Sequence, residues 1–491
     1  MDIYNIIMTK EDGMINNKIL LDILNYDFSR IENYGKKEYL ELLELCKKHK
    51  ILPYVFSLIK GKIPDKISLL FKQEYLSIKK EISYQIGEIN LLSQLFEKEN
   101  IEAIFVKGVA LSHIIYRDLF MRKSLDIDII VNKSLDDVFQ SIKKLGYKYY
   151  VGTDPKTGEF EGMDKAEMRF ADDYYEYQCF KYIDDCVIFI EIKKATSAIS
   201  EKNIVDFCSN TQSIKIYDRE IKTFNDDYTL LHIMANLYEN IESDLAINSF
   251  ISIRDIVDLK CFLEQKENIN WERIYLYAKK YQLVSKVRFA LYALSCFYNK
   301  IPVGKDVIKM FSVEKNRNDI PLNKTGSRYM WKCDLIERIF DSEKRMREYS
   351  GFLIKNLIEN ISKTEIEDEL IVDSMPYAKI LNASKVDIGF KCENEQYFFC
   401  FKGKNMSENI NNIFFYVVAI NLQEKNSLVK SEFEIECIEK QRNDYMEDKI
   451  MYKLESVFCK MIYFSIEIRK RIGANGFRRL GPKYEWILEK K

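Results

Sequence analysis

The stretch Ala103-Ile104-Phe105-Val106-Lys107-Gly108, followed beyond Arg122 by Leu125-Asp126-Ile127-Asp128-Ile129-Ile130-Val131, decides the fold. Residues 103–106 form a short β-type run entering Lys107-Gly108, and residues 109–116 have helical texture. Residues 125–131 are a second short strand candidate. Alternate residues of a strand share a face, so Asp126 and Asp128 project together. Two adjacent carboxylates repel unless a cation lies between them, and Mg²⁺ is the usual choice where phosphates complete its shell. A lone D-x-D also fits two solvent-facing aspartates on an edge strand. The context adds to the first reading: Gly108 opens a helix, where free N–H groups can hold a phosphate, and Lys107 beside it can neutralise one.

Outward from this segment the texture changes. Residues 1–95 read as helices, with apolar positions such as Ile82, Ile86, Ile89 and Leu92 spaced by three or four. A helix over 135–145 closes at Gly146, and residues 147–151, 174–182 and 187–192 are strand candidates rich in aromatic and β-branched residues. The polar stretch 153–164 reads as the loop between two of them. From about 200 to 365 the pattern is helical. Residues 366–491 return to short period-two runs at 386–390, 397–401, 414–420, 433–438 and 461–468, a small antiparallel domain of sandwich type. The expected class is α+β: a helical N-terminal region (1–95), a small mixed-sheet core (96–200), a helical subdomain (201–365) and a C-terminal antiparallel β domain (366–491).

Composition narrows the function classes. The chain has 491 residues, 47% hydrophobic and 31% charged, enough for a large core and too apolar for global disorder. With only 17 glycines and 7 prolines, long helices are favoured over a turn-rich β fold. Lys+Arg (75) and Asp+Glu (76) leave a net charge of −1, which provides no global field for long nucleic acid or an anionic membrane. No apolar run approaches the ~18 residues of a membrane span. The start MDIYNIIMTKEDG has no basic segment leading into an apolar block, so a cytoplasmic location is expected. Eleven scattered cysteines without a CxxC pair read as reduced thiols, and three histidines (His49, His113, His232) make a His-rich zinc site a poor expectation.

The ordered set Lys107-Gly108, Tyr116, Arg122 and Asp126-Ile127-Asp128, with Leu145-Gly146-Tyr147, Asp255-Ile256-Val257-Asp258 and Asn270-Trp271 downstream, resembles the uncharacterised bacterial nucleotidyltransferases of the DNA polymerase β-like superfamily. The resemblance covers about residues 40–300. It implies a third carboxylate from a later strand, at the position of Glu191. Family members often carry histidine two residues beyond that acid, where this chain has Lys193. Better-known superfamily members also have Gly-Ser where this one has Lys-Gly, so a serine contact to phosphate is missing. The implied activity moves a nucleoside monophosphate from an NTP to an unknown hydroxyl of a protein, RNA or small molecule. Two Mg²⁺ ions, with Mn²⁺ able to substitute, would sit on Asp126, Asp128 and Glu191. Lys107 and Gly108 would bind the outgoing phosphates, and Arg122 is either a phosphate or base contact or a surface ion pair.

Other features have plainer readings. Asp255 and Asp258 fit N-capping or solvation better than catalysis. His232 and His113 fit structural roles. Tyr174, Tyr175 and Tyr177 could stack a base or simply belong to a strand, and the basic tail Arg469 to Lys483 could be a solvated face. A non-catalytic protein holding a nucleotide or a partner on the same fold is the alternative. Whether Asp126, Asp128 and Glu191 converge separates the two.

Overall fold

Strong helix periodicity, one short strand on each side of a Lys-Gly turn and a C-terminal run of alternating residues become, in a computed structural model of the chain, the following elements. The helices α1 (Lys10–Leu24), α2 (Lys36–Lys48), α3 (Leu52–Ile59) and α4 (Asp65–Lys98) come first. Then come β1 (Ala103–Phe105), α5 (Gly108–Tyr116), β2 (Asp126–Val131), α6 (Leu135–Lys143), β3 (Lys148–Thr153), β4 (Phe160–Met163), β5 (Glu176–Ile183) and β6 (Cys186–Lys193). After α7 (Glu201–Cys208), a hairpin of β7 (Thr211–Ile216) and β8 (Arg219–Phe224) leads into α8 (Asp226–Glu242), α9 (Arg254–Gln265), α10 (Trp271–Lys280) and α11 (Val284–Phe297). The shorter α12 (Lys305–Met310) and α13 (Leu335–Phe340) flank an antiparallel pair, β9 (Asp319–Pro321) and β10 (Arg328–Met330). The structure describes residues 10–153, 160–163, 176–196, 198–242, 250–266, 268–313, 319–321, 328–346 and 348–349, and ten strands beyond 362.

Eight strands form one mixed sheet in the order β4-β3-β5-β6-β2-β1-β8-β7. β2 is central, antiparallel to β1 and parallel to β6, while β1 pairs in parallel with β8. The expectation of an all-helical region after residue 200 is therefore corrected. The hairpin β7–β8 extends the sheet, its alternation of Ile214, Ile216 and Ile221 inward with lysines outward lying between helical segments. The loop expected over 153–164 likewise contains β4, and residues 154–159 within it lie outside the described residues.

Local chemistry sets the element ends. Ser134 caps α6, its Oγ accepting the Asp137 N–H at 3.1 Å, and Asp136 and Asp137 lie in the first turn where the helix dipole favours them. Gly146, at φ +86°, supplies the left-handed turn after α6. The long α4 buries Ile78, Ile82, Ile86, Ile89, Leu92 and Phe96 on one side. It also ties itself to the sheet through buried Glu88, which receives the Tyr147 hydroxyl at 2.7 Å and lies 2.6 Å from Lys181 Nζ.

A long-range latch joins the N-terminal helices to the later ones. His49, just past α2 and 1% exposed, accepts the Ile253 N–H on Nδ1 at 3.3 Å, while its carbonyl accepts the Ser252 hydroxyl at 2.7 Å. Burial, reinforced by Lys48, pushes its pKa from 6.5 down to about 3. The unfolded chain therefore takes up a proton below pH 6.5 that the folded chain refuses, and stability falls as pH falls through that window. From pH 6.5 to 5 the loss from this group is about 2 kcal/mol, at roughly 1.4 kcal/mol per unit. Denaturant unfolding at pH 7 and pH 5 should show the wild type losing that much more stability than His49→Gln, and parallel profiles would contradict the assignment.

The chain divides into two compact units, residues 1–150 with 161–345, and residues 151–160 with 346–491. The second unit contains β11 (Lys363–Ile366), β12 (Glu369–Asp373), β13 (Lys385–Glu393), β14 (Gln396–Lys404), β15 (Ile413–Asn421), β16 (Leu428–Glu434), β17 (Asp448–Lys453), β18 (Met461–Ile472), β19 (Gly476–Arg479) and β20 (Tyr484–Lys490). They make a six-stranded sheet, β11-β20-β18-β15-β16 with β19 on β18, and a four-stranded sheet, β12-β13-β14-β17. Pairing is antiparallel as expected, except that β11 and β20 run parallel. Among the described residues, no helix is long and apolar enough to cross a membrane.

Candidate active site

The register of the central strands builds the site. β2 and β6 align Asp126 with Phe189 and Asp128 with Glu191, so the D-x-D pair and Glu191 occupy one face of two adjacent parallel strands. The structure brings the three expected carboxylates together: one oxygen of each lies within 4.8 Å of the others. Asp128 is 3% exposed, and its Oδ1 faces the ammonium groups of Lys193 and Lys107. Three converging carboxylates, with no softer donor among them, fit a hard divalent cation such as Mg²⁺ or Mn²⁺.

Cationic side chains crowd the same oxygens. Lys193 Nζ is 2.7 Å from Asp128 Oδ1, 2.5 Å from Glu191 Oε2 and 3.5 Å from Glu176 Oε2. Lys107 Nζ approaches Asp128 Oδ1 at 3.6 Å. Burial works to raise the Asp128 pKa, but Lys107 and Lys193 outweigh it and hold the group well below the usual range. Burial raises Glu191, and Asp128 and Asp126 add to that against the pull of Lys193. Burial works to lower Lys193, yet Asp128, Glu191 and Glu176 keep it charged.

Backbone geometry explains Lys107-Gly108. Gly108 begins α5 at φ +55°, and a Cβ there would lie 3.3 Å from the Asp126 carbonyl oxygen and 3.5 Å from Ser124 Oγ. The turn is thus pressed against the start of β2, and the uncapped first turn of α5 opens beside the carboxylates. Ser124, which sequence reading missed, orients Asp126: its hydroxyl lies 3.1 Å from both the Asp126 carbonyl oxygen and Oδ1.

Arg122 goes elsewhere. It is buried, with Nε 2.7 Å from Asp258 Oδ2 and Nη2 3.8 Å from Asp255 Oδ1. The Tyr116 hydroxyl donates to the other Asp258 oxygen at 2.7 Å. Asp255 and Asp258 are accordingly neither solvated nor simple caps, but the buried acceptors of an ion-pair network. His232 is buried as expected, 5.6 Å from the Phe224 ring centre. Among the described residues its Nε2 has no hydrogen-bond partner, and burial, then Lys107, pushes its pKa down to about 3. Tyr177 is core, donating to Asp136 at 2.8 Å, while Tyr174 and Tyr175 lie outside the described residues.

Sequence reading also missed Lys50. The His49 latch sets it in a left-handed turn, φ +59°, half-buried, and its ammonium has no ion-pair partner among the described residues. Burial chiefly, then Arg254, lowers its pKa, while Asp126 and Asp255 pull the other way.

No curated protein matches by sequence. A crystal structure of an antigenic nucleotidyltransferase-like protein from Paracoccidioides brasiliensis is 12% identical, covering 48% of this chain and 94% of that one, at a TM-score of 0.28. Residues 36–299, more than half of the chain and including every residue of the site, match the family described as uncharacterised nucleotidyltransferase. The chain belongs to that nucleotidyltransferase family.

Proposed function

We propose that this chain transfers a nucleoside monophosphate from an NTP to a hydroxyl of an acceptor. The observation that carries the reading is the convergence of Asp126, Asp128 and Glu191 across two parallel strands in a member of a nucleotidyltransferase family. Asp126 and Asp128 would hold a divalent metal, with Glu191 beside them. When bound, the metal neutralises charge on the phosphates and polarises the α-phosphorus. Lys107 and the first-turn N–H groups of α5 bind the departing phosphates. The acceptor oxygen bonds to the α-phosphorus while the bond to the bridging oxygen breaks, and pyrophosphate leaves with that electron pair. The hydroxyl proton passes to Glu191, whose raised pKa suits it to accept. Lys50, half-buried and within electrostatic reach of Asp126, adds positive charge for the triphosphate.

Titration of the purified chain with each of the four NTPs, with and without Mg²⁺, tests this reading without needing the acceptor. Saturable, metal-dependent binding of at least one NTP is the expected result; failure of all four sinks it. Lys50→Ala should weaken that binding about tenfold, the value of roughly one charge-assisted contact, with unfolding unchanged. Unaltered affinity would remove Lys50 from the site.

A further inference from the structure

Lys193 stands where a metal-binding face would be expected to hold water or a further ligand. Glu191 and Lys193 share a face of β6, and the β5 register sets Glu176 opposite Lys193 and Gln178 opposite Glu191. The lysine is 5% exposed, so its ammonium is held by these neighbours and not by solvent. It sits 2.7 Å from Asp128 Oδ1 and 2.5 Å from Glu191 Oε2, bridging two of the three carboxylates. Gln178 Nε2 donates to the other Glu191 oxygen at 3.1 Å, so both oxygens of that carboxylate are engaged. Asp126 differs: among the described residues it has no cation within ion-pair distance, and the Ser124 hydroxyl is its side-chain partner.

A divalent ion joining Asp128 to Glu191 would need an oxygen of each at about 2.1 Å. That is the volume the ammonium already fills, and a divalent ion placed against a buried ammonium would be repelled at close range with little screening. We infer, resting on the nucleotidyl-transfer reading above, that Lys193 is a built-in second cation. The site then takes one divalent ion, on Asp126 and Asp128, and Lys193 bridges Asp128 to Glu191. Glu191 is in this arrangement a proton acceptor held in place by Lys193 and Gln178, not a metal ligand.

The test is the number of Mn²⁺ ions bound by the full chain, read from the spectroscopic signal of free Mn²⁺ during titration with the metal alone. Wild type should bind one ion per chain. Lys193→Met and Lys193→Gln should each gain a second, and Lys193→Arg, which keeps the charge, should stay at one. Two ions on wild type would overturn the inference and leave the nucleotidyltransferase reading standing. A single ion on folded Lys193→Met and Lys193→Gln would do the same, with melting curves establishing that both variants fold. Absence of binding by wild type and by every Lys193 variant would instead overturn the metal site, and the proposed function with it.

Discussion

Asp128→Asn should abolish metal-dependent NTP binding, with a loss on the order of 10³-fold. Residues that merely orient metal ligands typically cost ~10–100-fold when changed, and Asp128 is itself a central member of the set. It is the buried carboxylate that two cations face, Lys193 at 2.7 Å and Lys107 at 3.6 Å. The substitution preserves shape and removes only charge. The protein should still fold, because Lys193 keeps Glu191 at 2.5 Å and Glu176 at 3.5 Å when Asp128 is neutral. Calorimetric titration with the NTP that binds best, with and without Mg²⁺, gives the measurement, and Asp126→Ala/Asp128→Ala sets the floor. Wild-type affinity in Asp128→Asn with Mg²⁺ would mean that the three carboxylates meet without serving as a metal site.

What could be read in advance follows the range over which each interaction acts. The D-x-D face is a local property of strand geometry, so Asp126 and Asp128 were legible from period two alone. Glu191 needed a second strand in parallel register with the first, and the ordered motif supplied the expectation that such a strand would come. Lys193 was visible as a departure from the family pattern, but its position between two carboxylates depends on both strands at once. The role of His49 was invisible because its partners come from residues about two hundred positions away, and nothing local marks Lys50. The hairpin β7–β8 was missed for a different reason. Its alternation is only six residues per strand and lies between helices, where a wide reading window averages it away.

Arg122 is the instructive displacement, and its removal carries the second large expected effect. An arginine between a Lys-Gly turn and a D-x-D strand reads locally as a phosphate or base contact, or as a surface ion pair; the structure makes it a buried ion pair. Its partners, Asp255 and Asp258, are on α9, more than a hundred residues later, and nothing near Arg122 in sequence announces them. Arg122→Ala would leave Asp258 buried with the Tyr116 hydroxyl, and Asp255 with Arg254 and the amides of Asn236 and Asn240. Stranding a buried charge in this way costs about 3–5 kcal/mol. Urea unfolding followed by far-UV circular dichroism should show the midpoint falling accordingly. Arg122→Met/Asp258→Leu, which removes both charges and keeps the volume apolar, should recover a substantial part of the loss, as buried pairs replaced by packed hydrophobes generally do. If Arg122 served phosphate instead, Arg122→Ala would leave stability unchanged and weaken NTP binding, and the double variant would recover nothing. An unchanged urea midpoint together with lost nucleotide affinity would therefore return Arg122 to the phosphate role and leave the helix α9 anchored by other contacts.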